Sequence, residues 1–167
     1  MKKFTFVFIV VSTLLLNACK KDDTVSASNL SAGHSKVSLT AAGATSGNFS
    51  SNDLISIVAK SGAEINLSAS YVNTTSFTTE IVLMLLPADI TTGSYNFKTM
   101  SSSAALPTFA YTKGVNGWAA TPSESEFTIV VSKATSTEIE GTFSGTLHND
   151  TDNTDVTISN GKFAAKY

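Results

Sequence analysis

Glu138-Ile139-Glu140-Gly141-Thr142-Phe143-Ser144-Gly145-Thr146-Leu147-His148 alternates without a break. Ile139, Gly141, Phe143, Gly145 and Leu147 fall on one side; Glu138, Glu140, Thr142, Ser144, Thr146 and His148 fall on the other. A period of two is the mark of a strand with one buried face. Polar residues 149–155 then read as a turn. In the strand that follows, Val156 and Ile158 are even-numbered, whereas Phe163, Ala165 and Tyr167 are odd-numbered. One extra residue switches parity in this way. The switch at Asn160-Gly161 predicts a β-bulge, with the glycine supplying a positive φ.

The same period runs upstream. Val37, Leu39 and Ala41 alternate with Ser38 and Thr40, and residues 42–52 read as a loop or weak edge strand. Ile55, Ile57 and Ala59 predict a strand face opposite Ser56 and Lys60. Ser61-Gly62 turns the chain into Ile65, Leu67, Ala69 and Tyr71, which makes a hairpin. Ile81-Val82-Leu83-Met84-Leu85-Leu86 is apolar on both faces, which predicts a central strand covered on both sides, with contact to lipid or a partner as the other reading. Thr91-Thr92-Gly93 leads into Tyr95 and Phe97, and Phe109 and Tyr111 mark a further strand. Residues 113–121 read as a loop carrying Trp118, and Phe127, Ile129 and Val131 form another buried face. No amphipathic helical stripe follows the first twenty residues. The expectation is an all-β domain: an antiparallel sandwich of about eight or nine strands, with a partly closed, calycin-like barrel as the alternative.

The amino terminus has a different grammar. Lys2 and Lys3 precede residues 4–16, which are apolar except for Thr5, Ser12 and Thr13. That is the length of a signal-peptide h-region, and too short to cross a bilayer. Leu16-Asn17-Ala18-Cys19 follows, with the chain's one cysteine. These residues resemble the bacterial lipobox, which implies cleavage before Cys19 and acylation of it. More than one acyl chain is needed for a stable anchor. The bland alternative is an ordinary signal with a chance cysteine. Lys20, Lys21, Asp22 and Asp23 resemble the surface-export signal of lipoproteins in the Bacteroidetes, and Asp23-Thr24-Val25 resembles the O-glycosylation sequon of that group, which would modify Thr24. The expected organisation is a signal over residues 1–18, a lipidated flexible tether over 19–34 and one domain over 35–167.

Removing the signal leaves 149 residues with nine lysines against thirteen acidic groups, a formal charge of −4. The chain contains no arginine. An acidic chain without guanidinium forks is poorly suited to gripping phosphates, which excludes nucleic acid as an expected partner.

The run Glu140-Gly141-Thr142-Phe143-Ser144-Gly145-Thr146-Leu147, followed by Ile158-Ser159-Asn160-Gly161-Lys162-Phe163, resembles the closing hairpin of small Bacteroidetes lipoproteins of unknown function. Their pattern is a GTF strand, a polar turn and an ITNGxF strand. Ser159 stands where threonine is more usual. Residues 89–97 are similar to their strand entry ending in Tyr-x-Phe. The resemblance implies fold and outer-membrane location. It brings no catalytic residues.

Candidate chemistry is sparse. His148 with Asp150 or Asp152 suggests part of a triad, yet no Gly-x-Ser-x-Gly elbow accompanies it, and a solvent-facing turn histidine explains it too. Glu138 and Glu140 share a strand face at about 6–7 Å, a glycosidase-like separation that a solvated polar face also produces. Asp150, Asp152 and Asp155 alternate as weak Ca²⁺ ligands would, without the glycine and glutamate of an EF-hand. Trp118, with Tyr111 near it in sequence, either plugs the end of the core or offers a ring face to a sugar. No other cofactor is implied.

The expectation for function is a non-enzymatic lipoprotein, held at the outer membrane and facing the cell exterior, with a periplasm-facing anchor as the alternative, that binds a glycan or an envelope protein. Two alternatives remain. A small-ligand carrier barrel predicts a cavity lined by Met84, Leu86, Phe97 and Phe109. A hydrolase of envelope or dietary polymer predicts a pocket holding His148, Glu138 or Glu140.

Overall fold

The computed structural model describes residues 25–51, 56–100 and 107–167. Cys19, Lys20, Lys21, Asp22, Asp23, Thr24 and Ile55 lie outside the described residues. Among the described residues eleven strands appear in chain order: β1 (His34–Gly43), β2 (Gly47–Ser50), β3 (Ile57–Ser61), β4 (Glu64–Asn73), β5 (Thr78–Pro87), β6 (Gly93–Asn96), β7 (Thr108–Lys113), β8 (Asn116–Ala120), β9 (Phe127–Ala134), β10 (Glu138–Asn149) and β11 (Thr154–Lys166). Every pairing is antiparallel.

The all-β expectation holds, and of the two arrangements the chain takes the barrel rather than the sandwich. Hydrogen bonding runs β11-β1-β3-β4-β5-β7-β8-β10, and β10 pairs again with β11 to close the ring. Alternation fixes which side chains point inward but not which strand lies next door. Closure comes from β11, which pairs with β10 along one edge and β1 along the other.

Two places in the ring are thin. β3 meets β1 at His34↔Ile57, while β2 takes the rest of that edge from Ser38 to Ala41. β8 meets β10 at His148↔Ala119, while β9 takes that edge from Gly145 to Ile139. β6 then adds to the outer side of β9.

The predicted bulge is present, though its parts exchange roles. Opposite β10 the register runs Phe143↔Gly161 and then Gly145↔Ile158; opposite β1 it runs Ser38↔Lys162 and then Thr40↔Ser159. The extra residue lies in β11. The positive φ, 52°, belongs to Asn160 and not to Gly161. Gly161 is needed for space instead. A Cβ there would run into the ring and carbonyl oxygen of Phe143, its cross-strand partner. Gly141 stands in the same relation to its own partner, the ring of Phe163. Two phenylalanines thus lie over two glycines, each pair facing the other way along one hairpin, with ring centroids 6.3 Å apart. This is how residues of the GTF and NGxF patterns fit together.

The core is continuous from Val37 to Ala165. Phe109 sits 4.6 Å from Phe127 and 4.7 Å from Phe143, centroid to centroid. Each fully buried phenylalanine contributes about 1.5–3 kcal/mol through burial. Met84, Leu86, Phe97 and Phe109, the cavity walls a carrier needs, all belong to this packed interior.

Three local expectations are corrected. Ile57 is 59 % exposed, and Ser56 and Val58 face inward in its place. Ser56 tolerates burial because its carbonyl accepts from Ser35 N–H and its hydroxyl oxygen accepts from Ser70 N–H. The stretch from Ile81 to Leu86 is covered on one face only: Val82, Met84 and Leu86 are inside, and Leu83 is 44 % exposed. A single barrel wall has no second layer to cover the outer face. Finally, residues 113–121 are not a loop. Gly114 and Val115 make a two-residue turn, and β8 follows with Trp118 and Ala120 pointing in.

Residues 25–34, assigned to the tether from composition, belong in part to the folded body. Ala27–Asn29 form a 3-10 turn, and Ala27 and Leu30 pack against Ala164 on the outside of β11.

Candidate functional site

The residues singled out for chemistry separate into three places. The first is inside the barrel. Tyr111 and Trp118 are 1 % and 3 % exposed and stack at 6.2 Å with a 24° interplanar angle. Tyr111 hydroxyl donates to Glu80 Oε2 at 2.6 Å, and Lys113 Nζ lies 3.1 Å from Glu80 Oε1. Burial, followed by the hydrogen bond to the Glu80 carboxylate, pushes the Tyr111 phenol well above its usual range. Lys113 also donates to the carbonyl of Ser46, tying the β1–β2 loop over this end. Trp118 Nε1 donates to Thr154 Oγ1 at 3.1 Å. Both rings are spent on the core, and neither offers a face to a ligand. Alternation alone leaves Trp118 undecided, because residues 113–121 show no clear period of two.

The second place is the outer wall near the amino-terminal turn. Glu138 and Glu140 share a face as expected, but each is engaged. Lys133 Nζ lies 2.6 Å from Glu138 and 3.7 Å from Glu140, and Lys166 lies 3.8 Å from Glu138. The hydrogen bond from Lys133 holds the Glu138 carboxyl below its usual range and raises the lysine in turn. Glu140 Oε1 accepts from Ala27 N–H at 2.7 Å and Ser26 Oγ at 3.2 Å. Glu140 fastens the amino-terminal turn to the barrel, while Glu138 is held by the two lysines. Neither lines the acidic cleft that forms the third place.

The third place is the one concave acidic site among these. Along the seam where β8 leaves the edge of β10 and β9 joins it, a cleft of about 330 Å³ is lined by Glu124, Glu126, His148, Asp150 and Asp155, with Thr121, Ser125 and Thr146 between them. Glu124 and Glu126 come from the connection between β8 and β9, which the sequence had not marked. No periodic signal could have found them, because the register that seats this connection beside His148 is a tertiary fact. Asp155, paired with His148 across the hairpin, takes the ring Nδ1 at 2.7 Å; Asp150 lies 3.7 Å from Nε2. The Ser125 hydroxyl oxygen accepts from Thr121 N–H at 2.7 Å.

The Ca²⁺ candidates do not converge. Asn149 Oδ1 accepts from the N–H groups of Thr151 and Asp152 at 2.8 and 3.2 Å, Asn153 has φ 52°, and Asp155 is bonded to His148. This is turn chemistry. Among the described residues no three His, Cys, Asp or Glu side chains stand together as a metal's donors.

The Asp155 hydrogen bond, followed by the charges of Asp155 and Asp150, raises His148 above its ordinary value of 6.5. The sign follows from linkage. A group that binds its proton more tightly when folded stabilises the fold fully below about pH 6.5, and that contribution is lost as pH rises through the folded-state value. Asp155→Asn is expected to bring the midpoint of His148 back toward its ordinary value, read from the imidazole resonances in an NMR titration.

Compared with known families, with characterised proteins and with solved structures, the chain matches none.

Proposed function

We propose that the chain is a non-enzymatic binding module, carried on acylated Cys19 at the outer membrane and facing outward, which recognises a glycan or an envelope protein. The observation that carries this reading is the filled interior. With Met84, Leu86, Phe97 and Phe109 packed against one another, recognition falls to the outer surface. There the acidic cleft offers carboxylates and hydroxyls from the β10–β11 hairpin and the β8–β9 connection, groups suited to sugar hydroxyls or a basic protein surface. The lipobox-like residues at Cys19 and the acidic pair Asp22-Asp23 support the location.

A second reading, hydrolysis, draws on the His148–Asp155 pair in that cleft. It is the weaker one, because Nε2 faces Asp150 and no described serine donates to it.

The test has two arms. External protease on intact cells is expected to cleave the wild-type chain. Asp22→Ala/Asp23→Ala is expected to stay membrane-bound but protected, and Cys19→Ala to leave the membrane. Immobilised envelope polysaccharides and basic envelope proteins are expected to retain the purified chain and to lose it in Glu126→Gln/Asp150→Asn. Protection of the wild type in cells overturns the surface reading. Turnover of a polymer that disappears in His148→Gln overturns the non-enzymatic one.

A further inference from the structure

The two ends of the barrel differ. Antiparallel pairing puts the start of β1, the β3–β4 turn and the last residues of β11 at one end. Four turns meet at the other: residues 44–46, 74–77, 114–115 and 150–153. Among the described residues seven large apolar side chains are exposed, and four of them, Tyr71, Val72, Phe77 and Val115, gather at this far end. Phe77 is 87 % and Val115 100 % exposed. Their tips are neighbours, because Glu80 pairs with Lys113 and Gly114 N–H donates to the Thr79 carbonyl at 2.9 Å. The Phe77 tip is also held in place. Asn73 Oδ1 accepts from the N–H groups of Thr75 and Ser76 at 3.0 and 3.1 Å. Phe77 itself has φ 52°, a left-handed conformation that bulky side chains seldom adopt. One residue combines a strained backbone with an aromatic ring in water.

We infer that this end docks a protein, with Phe77 and Val115 entering an apolar pocket bordered by lysine or arginine. The inference rests on the reading of the chain as a binding module for an envelope protein, and adds a surface apart from the acidic cleft. Shape and charge select the partner. The tips project, so their complement is concave. Glycans are held by polar groups that converge in a hollow, and a projecting apolar tip is the reverse of that. A bilayer of anionic headgroups fits no better. The four turns hold two charged residues, Asp150 and Asp152, and both are acids. Behind them Glu80 and Lys113, 3.1 Å apart, neutralise each other. Acids beside an apolar knob repel anionic lipid and match cations set around an apolar pocket. Orientation agrees. The amino-terminal turn packs against Ala164, toward the opposite end of the barrel. A chain held by its amino-terminal segment therefore turns these tips away from whatever holds it. The contact is small. Two aromatic rings at roughly 150–250 Å² each when whole, with two valines, expose about 400–500 Å² of apolar surface. That belongs with weak, reversible encounters in which a few anchors carry the binding.

The test starts with the full chain on intact cells, carrying the photoreactive substitution Phe77→p-benzoylphenylalanine. Illumination is expected to give a discrete protein adduct, identified by mass spectrometry, with lysine or arginine around the cross-linked position. That protein, purified, then serves as the probe. It is expected to bind the wild-type chain with a Kd of about 10–100 µM. Phe77→Asn should weaken the binding about tenfold or more. Because asparagine accepts a positive φ, the same variant should raise the unfolding midpoint. Val115→Ser serves as a second variant, and Leu83→Thr, on the barrel wall, should bind as the parent does. Asp152→Asn, outside the lining of the cleft, should weaken binding about two- to threefold. Adducts to lipid or polysaccharide alone, no adduct at all, or binding unmoved by both Phe77→Asn and Val115→Ser overturn the inference. So does a lowered unfolding midpoint in Phe77→Asn, which makes the ring a part of the fold. An adduct from Glu124→p-benzoylphenylalanine, in the cleft, with none from Phe77 overturns the inference and leaves the binding-module reading standing.

Discussion

Alanine at Gly141 or at Gly161 is expected to lower stability by about 3 kcal/mol, measured by chemical denaturation with the slope unchanged. Each substitution puts a methyl group where a partner phenylalanine ring already lies, and where a backbone carbonyl, of Val130 or of Phe143, leaves no second way out. The rings cannot swing aside, because Phe143 and Phe163 are 2 % and 0 % exposed in a continuous core. Gly117→Ala is the control. The nearest atom to a new Cβ there is the Thr112 methyl at 3.4 Å, an ordinary contact. That variant is expected to stay within about 0.5 kcal/mol of the parent. Equal effects at all three positions would mean that strand glycines matter here for reasons other than the ring contacts.

Trp118→Ala is expected to cost about 3–5 kcal/mol. The loss has two sources. One is the ring stacked on Tyr111. The other is the bond to Thr154, which links β8 to β11 across the place where β8 and β10 share only the pair His148↔Ala119. Trp118→Phe keeps most of the ring and drops the bond, so about 1 kcal/mol should be lost. If Trp118→Ala instead left stability within about 1 kcal/mol and abolished retention by polysaccharide, the indole would be a ligand platform and the assignment to the core would fail.

How much was legible in the sequence depended on how a local pattern met its neighbours. The faces of β10 and β11 and the site of the bulge could be read because period two and its parity switch are properties of one strand. The face of β3 could not. Ile57 and Ala59 argue for one side, and what reverses them is the set of backbone groups that meet Ser56 once β1 and β4 are in place. β8 was hidden by Gly114, Asn116 and Gly117, residues of a tight turn and a strand with a small outer face. The apolar run of β5 was read correctly as a strand and wrongly as covered on both sides, since sequence cannot say whether a second layer exists. The acidic cleft was half legible. His148, Asp150 and Asp155 lie on one hairpin, while Glu124 and Glu126 reach them only through the β8–β9 connection.

The fastening at Glu140 has a mechanical consequence. A pull on the amino-terminal segment arrives first at two hydrogen bonds, from Ser26 and Ala27 to one carboxylate. Behind them stands β1, paired with β11 from His34↔Lys166 to Gly43↔Val156. A load along that strand is carried in shear, by many bonds together. The turn is therefore a short fuse in series with a strong ladder: tension can peel Ala27–Leu30 from Ala164 while the barrel stays shut.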